Sequence, residues 1–310
     1  NNHFPELEEQ ARRLLDAVGH PGGPLTQRTA SDIAAHLGFT LHYVPDLPQT
    51  TRSVADIKNG RLYLSSRLAA KGDPRTAVLQ ALSSRILGHT EPKCYAEFLR
   101  QRVETNYLTG ALLIPEAHAV PFLQEAKGRR AVSVEDLRDA YSVSYETAAH
   151  RFTNLATRHL DLRVHFYRTD DAGALLRGYE NDGLPFPVDA SGSLEGQTVC
   201  RKWAGRTAFD RTNRTSEFYQ YTDTPEGTFW SSVQTGDTSQ GTFSLACGVA
   251  FDDTRWFRGR DTQARTVSTC PDPSCCRTPS EDLLGRWDGR AWPSARLHAH
   301  VLSPLPTGSF

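Results

Sequence analysis

The hydrophobic period changes near residue 160, and no single repeating architecture accommodates both halves. Before that point apolar residues recur at helical spacing: Leu7, Ala11, Leu14, Leu15 and Val18 share one face, and the segment stops at Gly19. Beyond it, runs such as Arg163 to Tyr167 and Thr242 to Ala246 alternate between Gly, Asp, Thr and Pro turns, the period of strands. The chain therefore reads as α+β: a helical part with a small hairpin, then a mixed α/β C-terminal part that carries a cluster of cysteines. The expected divisions are residues 1–115, a helical connector over 116–161, and residues 162–310.

Within the first part, a second helix is expected from about Thr29 to Leu37, and a strand over Phe39 to Val44. Ser53 to Ile57 and Arg61 to Leu64 flank Asn59-Gly60, a strong hairpin signal because both turn residues accept positive φ. Helices follow from Arg75 to Leu87 and from Cys94 to Leu113, the latter halted by Pro115. Helix resumes from Pro121 to Leu160, broken at Ser142-Val143-Ser144, where Ser144 is placed to cap the next helix. That spacing also suits a DNA-reading helix-turn-helix, but the second helix offers only His150 and Arg151 to phosphates. A helical hairpin used for packing is the simpler reading.

With 310 residues, 38% of them hydrophobic and a net charge of −1, the chain is neither a disordered tail nor a nucleic-acid-coating domain. It has no apolar run of the roughly 18 residues that a membrane helix needs. Asn1 to Glu6 shows no export leader, so a cytoplasmic location is expected. The sequence has no Met at all and reads as a segment of a longer polypeptide.

Cysteines are unevenly placed. Cys94 is alone in the first part, whereas Cys200, Cys247, Cys270, Cys275 and Cys276 follow. Phe243, Leu245, Cys247, Val249 and Phe251 alternate, so Cys247 belongs to the apolar face of a strand. The remaining set, Cys200, Cys270, Cys275 and Cys276, can hold a [4Fe-4S] cluster or, as the alternative, zinc. The chain lacks the paired Cys-x-x-Cys knuckles common in structural zinc, and adjacent cysteines bond each other poorly. A site with no metal also stays open.

The order of hairpin, helix and a helix ending in Leu112-Leu113-Ile114-Pro115 resembles the ImmA/IrrE-type metallopeptidase domain. In that family the helix after the hairpin carries His-Glu-x-x-His, two imidazoles that face one zinc with a carboxylate base between them. Here the matching residues are Gln80-Ala81-Leu82-Ser83-Ser84, with Glu104 near the place of a third ligand and His89 outside the spacing. One carboxylate does not hold zinc, so the domain is read as degenerate and not as an enzyme. The small residues leave room, and Tyr95, Phe98 and Arg102 on the next helix, with Ser84 opposite, form a candidate cofactor-binding set for an adenine or pantetheine arm. The alternative is that Tyr95 and Phe98 are core and the arginines a solvated face.

Several further stretches carry a more specific likeness. They are Arg52 to Asn59, Asn106-Tyr107, Gly110 to Pro115, Ala149 to Leu155, Tyr179 to Gly183, Glu195-Gly196-Gln197, Val199-Cys200-Arg201, Cys270-Pro271 and Cys275-Cys276-Arg277. Together they resemble the short-chain fatty-acyl-CoA-responsive transcriptional regulators, the group of the propionate-metabolism regulator PrpR and the glyoxylate regulator RamB. The resemblance implies a CoA thioester effector, propionyl-CoA first, a promoter-binding helix-turn-helix domain upstream of Asn1, and a homodimer. A rival from another class is an acyl-CoA thioesterase or hydrolase. Ser83 and Ser84 lie near His89 in sequence, but no Gly-x-Ser-x-Gly elbow surrounds them.

Overall fold

The computed structural model describes residues 2–48, 53–66, 73–189, 192–214, 216–238 and 241–270. Its described residues divide into two compact units, one of residues 2–122 with 137–151, the other of 123–136 with 152–270. The stretch expected as a connector thus contributes residues to both.

In the first unit, α1 (Pro5–Ala17) opens on Pro, whose missing N–H costs nothing in a first turn. It buries Leu7, Ala11, Leu14 and Leu15, the face read from the sequence. α2 (Gln27–His36) is capped by Thr26, whose hydroxyl accepts the Thr29 N–H at 3.1 Å. A three-stranded sheet follows, of β1 (Thr40–Val44), β2 (Ser53–Asp56) and β3 (Arg61–Ser65). β3 lies in the centre, antiparallel to β2 as the Asn-Gly turn requires, and parallel to β1. The turn is pinned by Asp56, which accepts the Asn59 N–H at 3.2 Å and its amide at 2.7 Å. Gly60 is obligatory there: its φ is +60°, and a Cβ would fall 2.5 Å from the Gly38 carbonyl.

α3 (Pro74–Ile86), capped by Asp73, packs on α4 (Tyr95–Leu113) through Val78, Leu79 and Leu82 on one side and Leu108 and Leu112 on the other. α5 (Glu116–Gly128) begins ahead of Pro121, where the sequence pattern starts it, and carries that Pro inside the helix. α6 (Val134–Tyr141) and α7 (Tyr145–Leu160) are separated at Ser142, whose φ is +51°. Ser144 Oγ accepts the Thr147 N–H at 3.1 Å, the cap expected from the sequence.

The helix-turn-helix spacing therefore forms, but its second helix does not offer Arg151 to phosphates. Arg151 is 1% exposed. Its Nη1 and Nη2 meet the Glu8 carboxylate at 2.5 and 2.8 Å, and its Nε donates to the Ile114 carbonyl at 2.8 Å. Tyr107 closes the group: its hydroxyl donates to Glu8 at 2.5 Å and accepts the Phe4 N–H at 3.1 Å. A guanidinium buried in this way, with a carboxylate on its fork and a carbonyl on Nε, is not presented to DNA.

The second unit is built on a six-stranded sheet of order β5-β4-β8-β7-β6-β9. Its strands are β4 (His165–Asp170), β5 (Leu175–Glu180), β6 (Phe218–Thr224), β7 (Gly227–Thr238), β8 (Gly241–Ala250) and β9 (Arg265–Val267). All neighbours are antiparallel except β6 and β9. One face carries Phe166, Trp230, Ser232 and Cys247, packed on Phe152 and Phe257 and on the buried Glu135, which accepts the Ser232 hydroxyl. The other presents His165, Tyr167, Ser231, Val233, Ala246 and Gly248. Residues 182–189 and 192–210, including the one-turn helix α8 (Ala204–Thr207), cover this face with Leu184, Phe186, Trp203 and Ala208.

Candidate functional site

The residues expected to stand where the resembled metallopeptidases hold zinc, Gln80 to Ser84, link α3 to α4 by long polar contacts. Gln80 Nε2 donates to Asn106 Oδ1 at 3.4 Å, and the buried Ser83 hydroxyl lies 3.3 Å from that of Thr109. His89 takes up Glu104, with Nε2 2.8 Å from its carboxylate and Nδ1 3.3 Å from Thr105 Oγ1. His89 and Glu104 are thus committed to each other. Ser83 and His89 have different partners, so they form no nucleophile–base pair.

Of the four residues expected to hold a CoA arm, the structure brings two together. The rings of Tyr95 and Phe98 stack with centroids 6.2 Å apart, and Tyr95 is 40% exposed. Arg102 follows on the next turn of α4, half-buried, while Ser84 is half-buried on α3. The aromatic pair is therefore neither core nor fully solvated, and Leu99 and Val103 extend the exposed apolar stripe. A cavity of about 350 Å³ opens elsewhere on α4, lined by Glu6, Gln10, His89, Arg100 and Glu104 among others, and by none of the four expected residues.

In the second unit, Cys200 is buried in the apolar cluster with Val199 and Trp203, and Cys270 packs against that cluster. The two thiols interact directly, with Ser268 beside them and the Lys202 N–H donating to Cys200 Sγ at 3.5 Å. Burial pushes the Cys200 thiol up to about 11, the neighbouring Cys270 adding to the rise while Ser268 and the Lys202 amide oppose it. The residues fit a thiolate site in one respect: two of the four expected ligands, far apart in sequence, meet. Cys275 and Cys276 lie outside the described residues. Cys247 stands in register with Phe166 and Ser232, on the sheet face turned away from Cys200, and burial raises its thiol further. Cys94 is exposed, immediately before α4.

One constellation escaped the sequence reading. His165 Nδ1 lies 2.7 Å from the Asp182 carboxylate, and its Nε2 lies 2.9 Å from Ser231 Oγ. The side chains of His165 and Asp182 are 0% and 1% exposed. The Ser231 hydroxyl also meets that of Tyr167, which accepts the Gly205 N–H at 3.0 Å. The alternation of His165 and Tyr167 was a usable signal for a shared face, but nothing local ties either to Ser231.

No family model matches the sequence, and no curated protein does. Among solved structures, a chain described as a Mycobacterium tuberculosis transcriptional regulator superposes with a TM-score of 0.66, over 89% of this chain and 88% of that one, at 18% identity. At that identity the likeness shows a shared fold running through nearly the whole length of both chains.

Proposed function

We propose that this chain is the effector-sensing part of a transcriptional regulator that binds a short-chain acyl-CoA, propionyl-CoA first, and thereby controls promoter binding by a helix-turn-helix domain placed upstream of residue 1, in a homodimer. The observation that carries the reading is the fold shared with a transcriptional regulator across both units. A helical unit whose metal-ligand positions hold Gln80 and Ser84 supports it, because such a unit cannot activate water for peptide cleavage.

The exposed Tyr95–Phe98 stack with Arg102 offers a flat apolar surface beside a guanidinium, the chemistry that an adenine and its phosphates need. Cys200 and Cys270, with Cys275 and Cys276, would hold a [4Fe-4S] cluster, or zinc in its place. Such a cluster supplies one-electron redox chemistry when bound. The protein's own contribution is the apolar wall of Val199 and Trp203, which limits solvent access to the Cys200 thiol.

An effector acts by binding one arrangement of the sensor more tightly than another, so it must stabilise what it binds. Propionyl-CoA at 100 times its Kd is expected to add about 2.7 kcal/mol of stability and raise the Tm by several degrees. Differential scanning fluorimetry with and without ligand checks this. A Tm unmoved at millimolar ligand contradicts the reading.

A further inference from the structure

Three polar side chains buried together in the middle of a sheet are costly, and apolar residues would fill the same space more cheaply. His165, Asp182 and Ser231 nevertheless meet on β4, at the start of the covering segment, and on β7, with both imidazole nitrogens engaged at 2.7 and 2.9 Å. The ring is held on every side. Tyr167 stacks on it at 6.1 Å, Phe229 meets it edge-on at 6.1 Å, and Gly248 lies against it so closely that a Cβ would fall 2.6 Å from Nε2.

In the arrangement a serine nucleophile needs, the Ser231 hydroxyl donates to His165 Nε2 across the 2.9 Å contact. His165 then carries its remaining proton on Nδ1 and donates it to Asp182. That tautomer is the one a general base needs.

We propose that Ser231 is an activated nucleophile that accepts the acyl group of a small ester or thioester, with His165 as its base and Asp182 as the positioning residue. Ser231 Oγ attacks the acyl carbonyl while His165 Nε2 takes the hydroxyl proton. The carbon–sulfur or carbon–oxygen bond then breaks, and the leaving thiolate or alkoxide departs with that proton. Water, deprotonated by the same His165, splits the acyl-serine to a carboxylic acid and free Ser231. Leu184, Phe186 and Trp203 pack in the cluster beside Tyr167, and Asp182 lies two residues before Leu184, so the ion pair that orients His165 also anchors the start of that covering stretch.

The activity goes beyond effector sensing and does not rest on it. The test treats the whole chain with a fluorophosphonate probe, maps the modified peptide by mass spectrometry, and follows p-nitrophenyl acetate hydrolysis in parallel. Modification at Ser231, lost in Ser231→Ala together with all hydrolysis above the uncatalysed rate, is the expected result. Asp182→Asn should slow labelling tenfold or more and move the rising limb of its pH profile downward, since the imidazolium loses its anionic partner. If Ser231→Ala fails to fold, the mapped position in the unaltered protein decides. Absence of label at Ser231 after prolonged exposure, or equal labelling of Ser231→Ala, overturns the proposal. Acyl-CoA binding is read separately by melting, so failure of one reading leaves the other measurable.

Discussion

Arg151→Met is expected to destabilise the first unit by about 3–5 kcal/mol, the cost of leaving one partner of a buried pair uncompensated. Arg151 satisfies both carboxylate oxygens of Glu8 and the carbonyl of Ile114 from a position with 1% exposure. Removing it strands a carboxylate that Tyr107 alone then serves. The double variant Glu8→Leu with Arg151→Met should recover most of the loss, because it removes both charges and fills the volume with apolar atoms. A urea-denaturation cycle over the four proteins measures this. A single-variant loss below about 1 kcal/mol would mean that the pair is not the buried clamp described.

The same clamp sets a pH dependence of known sign. Burial alone would raise the Glu8 carboxyl, but the hydrogen bonds and charge of Arg151, with Tyr107, hold it below its ordinary 4.5. A carboxyl depressed on folding contributes stability that is full above its ordinary value and is lost as the pH falls through the depressed one. In Arg151→Met the surviving burial raises Glu8 instead. That variant should gain stability as the pH falls through its raised value toward 4.5, the reverse of the native slope, and this group should add no further change below 4.5, where the native protein loses stability.

Gly248→Ala is the second large effect. A Cβ at this point of β8 would lie 1.9 Å from the Trp230 carbonyl oxygen and 2.6 Å from His165 Nε2, and the nearer atom is backbone. Neither a rotamer change nor a small shift of one side chain relieves that contact, so β7 and β8 must part. A loss of about 3 kcal/mol or more is expected, at the upper end of overpacking costs. Gly110→Ala is the internal control: within α4 its Cβ would meet only Arg151 Cδ, at 4.0 Å. There the helix propensity of Ala should add roughly 0.5–1 kcal/mol. Thermal melts of the two variants should therefore move in opposite directions, and a harmless Gly248→Ala would contradict the strand register.

What the sequence made legible is what local chemistry decides. Asn59-Gly60 placed the hairpin because the turn itself selects those residues, and Ser144 announced its cap through the hydroxyl it supplies three residues on. Alternation put Cys247 on the buried face of β8, away from Cys200. The parallel pairing of β1 with β3 was not legible, since nothing in either strand names its partner. Arg151 read as a surface cation because a helix pattern carries no trace of Glu8, which lies 143 positions earlier. His165, Asp182 and Ser231 stayed hidden for the same reason: the register of β4, β8 and β7 joins positions that are 17 and 66 residues apart. The platform of Tyr95 and Phe98 was legible as a helix face, but the 350 Å³ cavity lies on another flank of α4, set by how α1 and the residues after α3 meet it.

Titration calorimetry of the whole chain with propionyl-CoA puts the sensing account to its most direct test, with free CoA and propionate as separate titrants. The account expects saturable binding of the thioester, tighter than either fragment alone, and weakened tenfold or more by Arg102→Ala combined with Tyr95→Ala. Heats no greater than dilution for all three titrants, with the protein folded, would contradict it.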